Sequence, residues 1–194
     1  MNVRLVSSAA GRTRYPRVIG SHDVAGCGVP RIERTVQVGV SATEAFAVSQ
    51  TTGRLRLKWD PFIREQHLLD GAERPGKGVR TSTTSRHRLR MISMYTSYRP
   101  PTQVGMKMVN GPRFFEAFGG GWQFKPVDDT TTEAVWRYTF TIRPKRLALV
   151  GDPIGEWLLG RDIAARIGAF AAACSDPEIV AEALVQTGLG PSAS

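Results

Sequence analysis

Cysteine is scarce in this chain: Cys27 and Cys174 are the only two in 194 residues, and their separation suggests no disulfide framework. Histidine is nearly as rare, with His22, His67 and His87 too scattered to hold a metal and never at metal-ligand spacing from a cysteine. The sequence has no Cys-x-x-Cys, His-Glu-x-x-His, Gly-x-Ser-x-Gly, phosphate-loop or dinucleotide glycine pattern. Redox, zinc-hydrolase, serine-hydrolase and nucleotide-dependent chemistries therefore have no sequence support, and neither a metal nor a cofactor is expected. No apolar run reaches the roughly 18 residues of a membrane span. The best candidate, Ile163–Cys174, is broken by Arg166. Residues 1–30 carry Arg4, Arg12, Arg14 and Arg17 but no apolar stretch of the kind a secretory signal needs. A reducing, cytoplasmic setting is the expectation.

Acidic residues are also in short supply. There are 17 Asp and Glu against 26 Lys and Arg, a net charge of +9. The excess lies in the middle, where residues 54–113 hold thirteen bases against Asp60, Glu65, Asp70 and Glu73. Such a field can steer an acidic partner, or it can simply keep a surface solvated. The bases are not interleaved with aromatics as in a stacking platform, and no nucleic-acid motif is present, which argues against a nucleic-acid partner.

What is present is the balance of one globular domain, 41% apolar and 22% charged. Residues 1–30 mix Gly, Ser, Arg and Pro without periodicity and read as a flexible arm. Order starts at Arg31 with a strand carrying Ile32, Val36, Val38 and Val40. Thr43 offers a helix cap with Glu44 behind it, and two short helices follow before Trp59-Asp60-Pro61. Six strands are then expected, over 62–70, 77–86, 91–98, 103–110, 117–125 and 133–143. The links between them are rich in Gly, Pro, Asn and Asp, and short enough only for antiparallel neighbours. A long helix runs from Asp152 to Cys174 with the apolar stripe Leu159, Ile163, Ile167, Phe170, Cys174. A short helix opened by Asp176-Pro177-Glu178 ends at Gly188, the tail beyond it is loose, and that helix is placed over the small residues Ala164, Ala165, Gly168, Ala171 and Ala172. The fold class is α+β: about seven antiparallel strands around a long C-terminal helix, with the domain at 31–175 and the short helix and tail at 176–194.

This order of elements, together with Trp59-Asp60-Pro61-Phe62 and the Gly155-x-Trp157 opening of the long helix, resembles the SRPBCC (START-like) helix-grip superfamily, in particular its polyketide cyclase/dehydrase-like branch. The resemblance covers about residues 31–176. It implies a curved sheet gripping the helix around a cavity, and a hydrophobic small-molecule ligand such as a polyketide, lipid or aromatic metabolite. Either cofactor-independent cyclase/dehydratase activity or non-catalytic carriage would follow. It implies no universal catalytic motif.

Alternation places the candidate cavity wall. On the last strand Trp136, Tyr138 and Phe140 share a face, and neighbouring strands add Phe118, Trp122 and Phe124, then Met106 and Met108, then Met94 and Tyr98. Leu159, Ile163 and Ile167 stand across from them. The same residues would equally make a filled core. Tyr138 is a candidate hydrogen-bond donor or acid toward a ligand carbonyl, or else a phenol satisfied by backbone or water. His67 alternates with Glu65, as a proton-transfer pair or as a solvated face. The run Gly119-Gly120-Gly121 reads as a bulge or bend of the sheet. Arg80, Arg86 and Arg88 form a candidate docking row. If the substrate arrives tethered, its carrier would be an acidic acyl carrier protein.

Overall fold

The computed structural model describes residues 31–142 and 161–190. Seven strands form one sheet: β1 (Arg31–Val38), β2 (Ile63–Leu68), β3 (Arg80–Ser85), β4 (Arg90–Arg99), β5 (Gln103–Asn110), β6 (Phe115–Asp128) and β7 (Thr131–Ile142). Their order is β1-β7-β6-β5-β4-β3-β2, antiparallel at every pair. Consecutive strands are neighbours from β2 to β7, as short turns require. The single long crossover, from β1 at one edge to β2 at the other, carries α1 (Ala42–Ser49) and α2 (Gly53–Trp59). The described part of the long helix, α3, covers 161–174, and α4 (Pro177–Thr187) follows. The arm 1–30, the first half of the expected long helix with Leu159, and the last four residues lie outside the described residues.

The core fills the concave side of the sheet. Val36, Val104, Trp122, Phe124, Ala134 and Phe140 point inward against Phe46 of α1 and Ile163, Ile167 and Phe170 of α3, all nearly inaccessible to water. Each large side chain buried here contributes roughly 1.5–3 kcal/mol.

Three local expectations need correction. The cap of α1 is Ser41, not Thr43. Its Oγ accepts from the Glu44 amide at 3.3 Å while the Ser41 amide donates to Glu44 Oε2 at 2.8 Å, a complete capping box. Second, α4 packs against α1 and not over the small face of α3, where Ala164, Ala165, Gly168 and Ala172 are exposed. Third, the β4–β5 pairing slips twice, leaving Val109 of β5 unpaired opposite Ile92/Ser93 and Thr96 of β4 unpaired between Tyr95 and Ser97. A slip of one residue exchanges the faces of a strand. Met94 thus stands between exposed Arg80 and Lys107, on the convex side, while Ser93 and Tyr95 are buried. The second slip returns Tyr98 to the interior, with its ring 5.3 Å from Phe46 and 5.9 Å from Tyr95.

The glycine run is no bulge. Pairing with β5 and β7 is continuous through Gly119, Gly120 and Gly121. The need for glycine is close approach: a Cβ on Gly121 would sit 2.1 Å from the Val104 carbonyl oxygen, and one on Gly120 would meet the Tyr138 ring at 2.5 Å. Gly120 thereby lets Tyr138 lie across β6 on the concave face.

Candidate functional site

The concave face holds four polar side chains that local sequence did not bring together. Arg56 and Asp60 are four residues apart where α2 runs into Pro61, so both fall on the helix side that faces the sheet. Arg166 occupies the apolar stripe of α3 between Ile163 and Ile167, and Tyr138 projects inward from β7. The Asp60 carboxylate accepts from Arg56 Nε at 2.9 Å, from Arg166 Nη2 at 2.8 Å and Nε at 3.1 Å, and from the Phe62 amide at 3.1 Å. Arg56 Nη1 donates to the Ser49 carbonyl at 2.7 Å, and Arg166 Nη1 donates to the Tyr138 hydroxyl at 2.8 Å. Aromatic faces enclose the cations: Trp59 lies 4.3 Å from the Arg56 guanidinium, and Trp136 and Phe62 lie 4.6 and 4.9 Å from that of Arg166. Asp60 is 1% exposed, Arg56 5% and Arg166 8%. Among the described residues two buried cations thus share one buried carboxylate, an excess of one positive charge.

The electrostatics follow. Burial pushes the Asp60 carboxyl up, but the charges of Arg166 and Arg56, and the hydrogen bonds it receives, outweigh burial and hold it below the usual carboxylate range. It is a fixed anion and a poor base. Burial pushes the Tyr138 hydroxyl up, offset only in part by Arg166, so the phenol keeps its proton at neutral pH. Its oxygen is occupied as an acceptor from Arg166, which leaves its own proton to donate. Beside it, 5.3 Å between rings, Trp136 is 6% exposed. Its Nε1 is buried with no hydrogen-bond partner among the described residues. Buried donors are normally satisfied. Trp136 and Tyr138 are two residues apart on one strand face, so both unspent donors belong to the same place.

The apolar wall divides into two zones. Toward α1 and the end of α3 it is solid: Trp122 lies 4.2 Å from Trp136, 4.6 Å from Phe170 and 5.6 Å from Phe124. Past Tyr138 it loosens, with Phe118 against Tyr138 at 4.9 Å, Phe115 against Phe118 at 4.9 Å, and Met106, Met108, Phe115 and Phe118 only partly buried. Two grooves among the described residues lie outside this interior. One of about 590 Å³ separates the start of α2 from α4. One of about 320 Å³ lies over Gly105, Gly120 and Gly121, with Gln103, Gln123 and Arg137 on its rim.

Of the residues singled out by sequence, Trp122, Phe124, Trp136, Tyr138, Phe140, Tyr98, Met106, Met108 and Phe118 share the concave face with Ile163 and Ile167. Met94 does not. His67 is on the convex side of edge strand β2, opposite Ser82, with Nδ1 3.6 Å from Glu65 Oε1 and both side chains at least half exposed. It is remote from the interior because its parity is that of the outward row. Nor do the three arginines form one row. Arg80 is held by both oxygens of Asp70 at 2.8 and 2.6 Å, whereas Arg86 and Arg88 sit in the β3–β4 turn, about 20 Å along the strand. Sequence reasoning missed Arg56 and Arg166 as partners of Asp60. The available signal was Arg166 itself, a charge set inside an otherwise apolar helix stripe.

A curved antiparallel sheet closed over a C-terminal helix defines a helix-grip protein. Residues 29–175 match the family described as polyketide cyclase / dehydrase and lipid transport, and the chain belongs to that family. Among solved structures it is similar to XoxI from Bacillus cereus (16% identity, TM-score 0.61, covering 76% of this chain and 97% of that one). It is similar to a START superfamily protein from Mycobacterium smegmatis (14%, 0.61, 75% and 97%) and to the Zhui aromatase/cyclase from a Streptomyces species (16%, 0.63, 76% and 94%). At such identities these likenesses establish the fold. No curated protein matches the chain.

Proposed function

We propose that the interior binds a hydrophobic small molecule bearing a carbonyl or enol oxygen, with that oxygen received by Trp136 Nε1 and the Tyr138 hydroxyl. The observation that carries this reading is the pair of adjacent donors for which the described residues offer no acceptor, the Trp136 Nε1 and the proton of a Tyr138 hydroxyl that itself accepts from Arg166, backed by the positive charge of the Arg56–Asp60–Arg166 cluster. A ligand oxygen satisfies both, and the partly buried row Phe115, Phe118, Met106 and Met108 supplies the apolar contact. A polyketide or an aromatic metabolite meets this description. Carriage is favoured over catalysis, because cyclisation and dehydration require a proton acceptor as well as a donor. Among the described residues Asp60 is neutralised by two guanidiniums and His67 lies outside the sheet. The cyclase/dehydratase reading draws on the family description and on Tyr138 as the proton donor. The unconnected arginines Arg80, Arg86 and Arg88 give the acyl carrier partner no support.

Native mass spectrometry of protein purified from its producing cells tests the proposal. A retained organic mass with a carbonyl, lost in Trp136→Phe, Tyr138→Phe, is expected. Wild-type protein that carries nothing, and takes up no apolar ketone on titration, would contradict it.

A further inference from the structure

The strand directions bring the β3–β4 turn (86–89), the β5–β6 turn (111–114), the start of β2 and the end of β7 to one end of the sheet. The first described turn of α3 belongs there as well, since Asp162 Oδ2 is 3.8 Å from His87 Nε2. At this end Leu89 is 45% exposed, Val109 51% and Phe114 44%. These are three of the large apolar side chains the described residues leave in water. Leu89 and Phe114 are the last residues of two turns, directly before β4 and β6, strands next but one to each other and so roughly 10 Å apart. Around them Arg86, Arg88, Arg90 and Arg113 are exposed. Among the described residues no carboxylate pairs with any of these four; Arg90 reaches only Ser82 Oγ at 3.2 Å. Among the described residues the acids near this end are Glu116, which is not free, Asp162, which faces His87, and Glu65, two strands away from Arg90 and beside His67.

We propose that this end of the protein docks on an anionic lipid bilayer, Leu89 and Phe114 entering the interface while the arginines around them meet lipid phosphates. Exposed apolar side chains at the end of the sheet within a cationic ring suit a deformable, negatively charged surface. The inference goes beyond the interior site: it uses only outer residues and holds whatever the interior binds.

Flotation with phosphatidylcholine vesicles, with and without phosphatidylserine, provides the test. Wild type is expected to float only with the anionic vesicles, less so as salt rises. Arg86→Glu, Arg88→Glu and, separately, Leu89→Ser, Phe114→Ser should each lower partitioning about tenfold or more. All four side chains are exposed, so thermal midpoints should match wild type, and a Lys58→Glu control should float normally. Equal behaviour with and without phosphatidylserine overturns the proposal. So does unchanged flotation of Leu89→Ser, Phe114→Ser, which would mark the basic end as an electrostatic surface for an acidic macromolecule.

Discussion

Replacing Asp60 with asparagine removes one negative charge from a cluster in which two cations depend on it. The carboxylate is 1% exposed and accepts from Arg56, Arg166 and the Phe62 amide at 2.8 to 3.1 Å. The amide nearly preserves shape but leaves both guanidiniums buried without a counter-charge. Breaking a buried ion pair from one side costs about 3–5 kcal/mol. For a domain of this size each kcal/mol moves the melting midpoint about 2–4 °C, so a fall of roughly 6–20 °C is expected. Urea unfolding followed by tryptophan fluorescence measures the same loss through the midpoint concentration. The pH dependence has a definite sign. The folded-state pKa of Asp60 is depressed, so its stabilisation is complete above the unfolded value of about 3.9 and disappears as pH falls through the lower folded value. Wild type should therefore lose stability on acidification below about pH 4 through a component that Asp60→Asn lacks. The joint replacement Arg56→Met, Asp60→Leu, Arg166→Met should restore most of the loss, since an apolar substitute for a buried cluster is often neutral. A cost below about 1 kcal/mol for Asp60→Asn would refute the reasoning.

Two further outcomes test the sheet and the capping box. Gly121→Ala places a Cβ 2.1 Å from the Val104 carbonyl oxygen, a contact only backbone movement can relieve, and should cost more than the roughly 1–3 kcal/mol of ordinary overpacking; Gly168→Ala, in open space on α3, should be neutral or better. Ser41→Ala should cost about 1 kcal/mol in chemical unfolding, whereas Thr43→Ala, at the second residue of α1 and not its cap, should cost less.

The architecture was legible because each of its signals is local. Alternation on β7, turn residues between strands, and the spacing of Ile163, Ile167, Phe170 and Cys174 each need only a window of about a dozen residues. The capping box was equally visible as Ser41-Ala42-Thr43-Glu44, but Thr43 nearer to the helix drew the assignment away from Ser41. Face assignment on β4 failed for a different reason: the extra residue Thr96 between Tyr95 and Ser97 follows from pairing with β5, which the sequence of β4 alone does not encode. The polar cluster was least legible. Arg56 and Asp60 lie on α2 and the segment after it, and Arg166 on α3 more than a hundred residues later. Charged residues are rarely buried unless paired, and nothing local in the sequence names the partner of any of the three. Tyr138 was identified as inward and in need of a partner, but a guanidinium was not among the partners considered.

The central claim is that Trp136 and Tyr138 receive a ligand oxygen. It is tested most directly by titrating wild type, Tyr138→Phe and Trp136→Phe with two fluorescent apolar probes of the same shape, one with a ketone and one without. The ketone should bind wild type more tightly and lose roughly tenfold in affinity with each lost donor, the worth of about one hydrogen bond, while the hydrocarbon analogue binds all three alike. Equal affinity of both probes for all three proteins, or no binding to wild type, would contradict the assignment.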